Sequence, residues 1–174
     1  GKLSRGRYRG IAPECRLLPV KVLDRRGNGS CQDVLRGIAF AISTRERYHT
    51  RILNISVGTL TEGKDDEELI QAVEDAWDAG LIVVAAAGNM GPRKESITSP
   101  GSSRKIITVG ASDDEQTEAF PRKGRILTGY SGRGPTCACI VKPELTAPGT
   151  GIVSCSSRYA FTRQGYTVKS GTSM

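Results

Sequence analysis

Histidine is almost missing from this chain: His49 is the only one among 174 residues that include 18 carboxylates and five cysteines. That scarcity removes most zinc chemistry, and Cys137-Ala138-Cys139 lacks the two-residue spacer of zinc ligand pairs. Long apolar runs are missing too. The longest, residues 81–87, breaks at Gly88 and falls far short of the roughly 20 residues that cross a bilayer. Residues 1–10 are basic and polar, without the apolar segment of a signal peptide, and the absence of an initiator methionine implies a processed or cut start. Aromatic residues make up only 5% of the chain and few lie among the basic ones. Stacking platforms for nucleic acid are therefore not in view.

What is present suits one loop-rich domain. Apolar residues make up 37% and charged residues 25%, with 21 glycines and 8 prolines, and the length allows a single core. The net charge of +7 is dispersed: Arg25, Arg26, Arg45, Arg47, Arg122, Lys123 and Arg125 alternate with acids, which reads as solvated surface. Neither nucleic acid nor membrane is an expected partner. Five cysteines are an odd number, so at least one has no partner within the chain, and the usage leans toward a reducing compartment.

Along the chain, "LLPVKVL" (residues 17–23) reads as a buried strand ended by a turn at Gly27, Asn28 and Gly29. Ser30 then caps a helix in which Val34, Leu35, Ile38, Ala41 and Ile42 recur at helical spacing. "ILNISV" reads as the next strand, and "DDEELIQAVEDAWDAG" as a helix with an acidic first turn and Gly80 at its end. "LIVVAAAGN" is apolar without alternation, the pattern of a parallel strand covered by helices on both faces. "IITV" and the stretch from "PELTAPG" to "GIVSCS" continue the core. Alternating strands and helices predict a three-layer αβα fold around a doubly wound, mostly parallel sheet. Ligands of such sheets sit beyond the carboxyl ends of the strands, so "GNG", "SVGT" and "AAAGN" belong on one rim.

Two sites compete for that rim. Residues 58–65 fit G-x-x-x-x-G-K-[ST] except at the last place, where Asp65 replaces the hydroxyl that holds magnesium, and the acids that follow repel phosphate. Ser173, in "SGTSM", is the second candidate; alone it is as readily a turn residue as a nucleophile. Asn89 has the same two readings, a turn residue or a fixed amide donor for a developing oxyanion.

Eight blocks then appear in one order: "GIAPECRLLPVKVLD", "GNGS", "ILNISVGT", "AVEDAWDAGLIVVAAAGNMGP", "SPGSSRKIITVGAS", "YSGRGPT", "KPELTAPGTGIVS" and "SGTSM". In that order they resemble the subtilisin-like serine proteases (the subtilase family), nearest to the bacterial intracellular AprX type. "YSGRGPT" departs from the family's more usual Phe-Ser-Ser. The resemblance implies a serine endopeptidase in which Ser173 is the nucleophile and Asn89 an oxyanion donor beside the N–H of Ser173. It also implies that substrate lies as an added strand between Gly27, Asn28 and Gly29 on one side and Ser56, Val57 and Gly58 on the other. Ala86, Ala87 and Gly88, with Ser56, Val57 and Gly58, would wall the primary specificity pocket. These walls are small, which suggests room for a large apolar side chain. Ser99-Pro100 matches a place where the family can carry a cis proline.

No cofactor is required by that chemistry. A structural calcium ion is allowed, although no cluster of oxygen ligands stands out. Polypeptide substrates and a prosegment are the implied partners, and the bacterial cytoplasm is the expected compartment rather than the exterior.

One element of this chemistry has no counterpart in the chain. A serine hydroxyl needs a base oriented by a carboxylate, and His49 sits between a helix and a strand, away from the rim. The family's Asp and His blocks would precede Gly1, and the helix of the nucleophile would run on past Met174. Residues 1–174 are thus expected to be the central and C-terminal part of one peptidase domain, truncated at both ends and inactive alone. A catalytically dead peptide-binding domain, and less readily a nucleotide binder, are the alternatives.

Overall fold

The structure is a computed structural model, and it describes residues 6, 8–59, 64–112, 121–122, 125–126, 129–156 and 165–174. Helix α1 (Cys31–Tyr48) begins where Ser30 and Asp33 satisfy each other's backbone: the Asp33 N–H donates to Ser30 Oγ at 3.1 Å, and the Ser30 N–H to Asp33 Oδ2 at 3.2 Å. This capping box removes two of the helix's orphan donors. The helix stops at His49, which adopts a left-handed φ of 53° and donates its N–H to the last turn. Helix α2 (Lys64–Asp78) ends at Gly80, whose φ of +90° turns the chain so that Leu81 N–H reaches Ala76 O. An L side chain there would be strained.

Four strands, β1 (Ile52–Ile55), β2 (Ile82–Ala86), β3 (Ile107–Ala111) and β6 (Leu145–Ala147), form one parallel sheet in the order β1-β2-β3-β6. Two short antiparallel pairs flank it: β4 (Pro121–Arg122) with β5 (Arg125–Ile126), and β7 (Ile152–Cys155) with β8 (Tyr166–Lys169). Helices α1 and α2 pack on each other and, through Ile38, Ala41, Leu69, Val73 and Ala76, on Ile55, Val83 and Ala85 of the sheet. Parallel strands linked by helices give the expected α/β fold, as an incomplete three-layer arrangement.

Ion pairs and hydrogen bonds fasten the edges of this core. Glu74 accepts the Ser103 hydroxyl at 2.7 Å, and Asp78 pairs with Lys105 at 2.7 Å, so α2 is tied to the segment entering β3. Lys142 is fully buried, yet its ammonium donates to Ile106 O at 2.9 Å and meets Glu144 Oε1 at 2.6 Å. The other oxygen of Glu144 accepts the Thr108 N–H at 2.7 Å. One cation and one carboxylate thereby lock β3 to the approach of β6, and burial is tolerable because each is paired.

Two expectations need correction. Residues 17–23 form no ladder among the described residues and are not buried: Leu17 is 84% exposed, and only Val22 and Leu23 are half covered. The run is extended and apolar as a strand should be, but a strand also needs an edge to pair with, and the free edge of β1 lies across an open groove. In β2, burial alternates although the sequence does not: Val83 and Ala85 are buried, while Ile82 is 41% exposed. Both described helices lie in the cluster with Val83 and Ala85, so helical cover reaches only that face.

Candidate active site

The carboxyl ends of β1, β2 and β6 converge on the turn that carries Ser173. Gly171 N–H donates to Gly149 O at 2.9 Å, Gly151 N–H to Ser170 Oγ at 2.9 Å, and Met174 N–H closes the turn onto Gly171 O at 3.2 Å. A side chain at Gly149 would collide with Gly171 O, so backbone approaches backbone closely here. Ser173 is half-buried, and its hydroxyl donates to Ser56 O at 3.0 Å just past β1. Its Oγ–H thus points at the strand end that was expected to hold substrate.

Asn89 is brought to the same place by Thr172. The Thr172 N–H and hydroxyl both donate to Asn89 Oδ1, at 2.9 and 3.2 Å, and the hydroxyl accepts from Gly88 N–H at 3.1 Å. With its oxygen held twice, the exposed Asn89 amide keeps Nδ2 as a donor without a partner among the described residues. A fixed, unspent N–H₂ on a side chain bonded to Thr172, the neighbour of Ser173, is a group that can stabilise negative charge. Thr172 was missed in the sequence because a lone threonine has no signature; its place between Gly171 and Ser173 was the only hint.

Asp24 organises the opposite loop. Its Oδ1 accepts the N–H groups of Arg26 at 2.7 Å and Asn28 at 2.9 Å, and these bonds, Asn28 first, hold its carboxyl below the usual range. Gly27, at φ +86°, Asn28 and Gly29 are exposed. Gly27, Ser56 and Val57 line one groove of about 570 Å³, whose walls are residues 20–27 and 53–57 and whose floor is Val34, Gly37 and Ile38 of α1. Asn28 lines an adjoining cavity of about 460 Å³.

The expected pocket walls divide. Gly58 and Gly88 both face the side chain of Thr98, and Ala86 is half-buried. Ala87 is fully buried, with its N–H given to Val109 O and its carbonyl taken by Thr98 N–H, so it holds the wall together rather than lining open space. The Ser99–Pro100 peptide is cis. Thr59 exchanges two backbone hydrogen bonds with Ser99, at 3.0 and 3.2 Å, which fastens the first part of the phosphate-loop candidate to another strand-like segment. Its middle, residues 60–63, lies outside the described residues.

His49 is exposed at the C-terminus of α1, three residues before β1 begins, whereas Ser173 lies beyond the other end of that strand. It is not brought to the site. Among the described residues no three His, Cys, Asp or Glu side chains gather as a metal group, all five cysteines are free, and no helix is long and apolar enough to cross a membrane.

Comparison with known proteins shows the family. Residues 2–174 match the model of the Subtilase family, Peptidase_S8. The serine protease AprX of Bacillus subtilis is 40% identical over all of this chain, which spans 42% of that relative; the minor extracellular protease Epr of the same organism is 33% identical over 94% of the chain, which spans 21% of it. Among solved structures, Sphericase superposes with a TM-score of 0.75 at 28% identity, and the S41 psychrophilic protease with 0.72 at 32%, covering 98% and 95% of this chain and 54% and 52% of theirs. The chain therefore spans about half the length of its solved neighbours and less of these curated relatives, and it belongs to the subtilase family of serine proteases.

Proposed function

We propose that this chain is the central part of a serine endopeptidase domain in which Ser173 attacks the scissile carbonyl and Asn89 stabilises the resulting oxyanion. The observation that carries the reading is the Asn89–Thr172 pair of hydrogen bonds, which ties an amide donor to the residue preceding Ser173. In the reaction the Ser173 proton passes to a base, its Oγ bonds to the substrate carbonyl carbon, and the carbonyl oxygen takes the negative charge between Asn89 Nδ2 and the Ser173 N–H. The acyl-enzyme is then released by water. A peptide strand laid between Gly27 and Ser56 would present its backbone to both, so binding depends little on sequence.

The base and its carboxylate come from segments preceding Gly1. Among the described residues β1 pairs with β2 alone, and a parallel strand set against its other edge, beneath the rim on which substrate lies, would end beside Ser56. Calcium, where the longer protein binds it, would serve stability rather than any of these steps.

The reading is tested on the longer parent protein with a fluorophosphonate probe and a peptide substrate. Labelling and hydrolysis should both vanish in S173A. N89A should lower kcat by about 10²–10³, a range taken from loss of this donor in a subtilisin itself and so transferred rather than independently derived. A folded parent that takes no Ser173-dependent label is a peptide-binding domain and not a protease. The 174 residues alone should neither label nor hydrolyse.

A further inference from the structure

Cysteine is among the residue types most often buried, yet Cys137 and Cys139 are both exposed, with only the exposed Ala138 between them. They stand at the tip of a closed turn. Thr136 N–H donates to Ile140 O at 2.9 Å, Cys139 N–H to Thr136 O at 2.8 Å, and Ile140 N–H to Thr136 Oγ1 at 3.2 Å. One step down the arms, Gly134 N–H donates to Lys142 O at 3.0 Å, so the two sides are tied at both levels. Lys142 is the buried cation that locks β3 to the approach of β6. The turn is thus anchored in the core while residues 137–139 stand in solvent.

Packing does not account for these two side chains. Cys31 rests against the hydrophobic core, whereas neither Cys137 nor Cys139 belongs to a core cluster. Neither gathers with enough other ligating side chains to form a metal group among the described residues. Cys139 also adopts a φ of 56°, a left-handed conformation that suits glycine and disfavours residues with a Cβ. A cysteine kept in solvent and at a conformation that opposes it points to the chemistry of its thiol. A tight turn brings Cα atoms two residues apart to about 5–6 Å, within the range of roughly 4.4–6.8 Å that a disulfide bridges.

We propose that Cys137 and Cys139 form a reversible dithiol site that low-molecular-weight disulfides of the glutathione type oxidise to an intrachain disulfide. The thiolate of one cysteine attacks a sulfur of oxidised glutathione; a protein–glutathione bond forms as the reagent's S–S bond breaks, and one glutathione leaves. The other cysteine then attacks the protein sulfur of that mixed disulfide, forms the Cys137–Cys139 bond and expels the second glutathione. The pair gives up two electrons and two hydrogens, which one oxidised glutathione gains as two thiols. The second step needs no diffusional encounter, because the attacking thiol is held two residues away at high effective concentration. Cys15, Cys31 and Cys155 have no cysteine so near in sequence. A bond that is exposed and closed over one intervening residue is of the labile kind that excess thiol reopens. The site is independent of the peptidase reading.

The test treats the longer parent protein with excess oxidised glutathione, blocks remaining thiols with N-ethylmaleimide, digests it and weighs the peptide that holds both cysteines. That peptide should be two hydrogens lighter than its reduced form, carry neither maleimide nor glutathione, and regain two maleimide-reactive thiols after dithiothreitol. In C137S and C139S the remaining cysteine should instead hold one glutathione. C139G, whose new residue suits the left-handed turn, should also lose the bond while its thermal midpoint stays at or above that of the wild type. Glutathione adducts on the wild-type peptide, two free thiols, or a bond from either residue to a different cysteine overturns the proposal. So does a lowered midpoint in C139G, which would show that the Cys139 side chain is kept for packing.

Discussion

The two faces of the parallel sheet are made of the same kind of residue and have different fates. On one, Ile55, Val83 and Ala85 are buried under α1 and α2, and Thr108 beside Ala85 is buried too. On the other, strand pairing sets Ile52 beside Ile82, Val84 beside Ile107, and Val109 beside Leu145, and these are half-buried at most; Ile52, Ile82 and Leu145 are exposed. Apolar surface left in water forfeits about 25 cal/mol per Å² that burial would return. A row of branched aliphatics kept at that cost marks a face built to be covered. It is the same lesson as the groove beside β1: the core shared with the helices is finished, and the second face and the β1 edge are not.

Substitutions at neighbouring positions separate the two faces. Val83→Asp puts a carboxylate into a site with no exposure and should cost more than about 4–5 kcal/mol, enough to lose cooperative unfolding in denaturant. Ile82→Asp, one residue away, should cost about 1 kcal/mol or less in the 174-residue chain, but more than about 4 kcal/mol in a longer protein whose added segments cover the second face. Equal, small costs in both proteins would mean that nothing packs on that face. At the far edge of the sheet, Lys142→Ala removes the donor from buried Ile106 O and should cost about 1–3 kcal/mol, measured as a shift in denaturant midpoint. A smaller loss in Lys142→Met would separate packing from charge.

The smallest effect concerns the cap of the covering helix. The Ser30 hydroxyl, then the Arg36 guanidinium, then the Ser30 N–H lower the Asp33 carboxyl from its ordinary 3.8 to about 2. Because the folded value lies below the unfolded one, the contribution of Asp33 is complete above pH 3.8 and fades as pH falls toward 2. A carbonyl-carbon NMR titration should give a midpoint near 2 that moves upward in S30A. A midpoint at the ordinary value would show that the capping box is open in solution.

Local chemistry made much of this legible in the sequence. Ser30, Asp33, Gly80 and the periodic apolar residues of both helices act over a few residues, so their meaning does not depend on the rest of the fold. The roles proposed for Ser173 and Asn89 were suggested only by ordered blocks, since neither has a local signature. Residues 17–23 and the second face of β2 were misread for one reason: apolarity records what a segment is suited to meet, not whether the described chain supplies it. Thr172 and Lys142 stayed hidden because the role of the first arises from a contact 84 positions away and that of the second from burying the residue type that most favours water.

Lys142 has a use outside enzymology. With its side chain sealed from solvent, its amine should resist acylating reagents that modify exposed lysines such as Lys94 within minutes. Each molecule that opens between β3 and β6 would expose it and acquire a permanent mass tag. The residue is therefore an internal clock for unfolding, readable by mass spectrometry in a mixture, with no probe attached and no activity required.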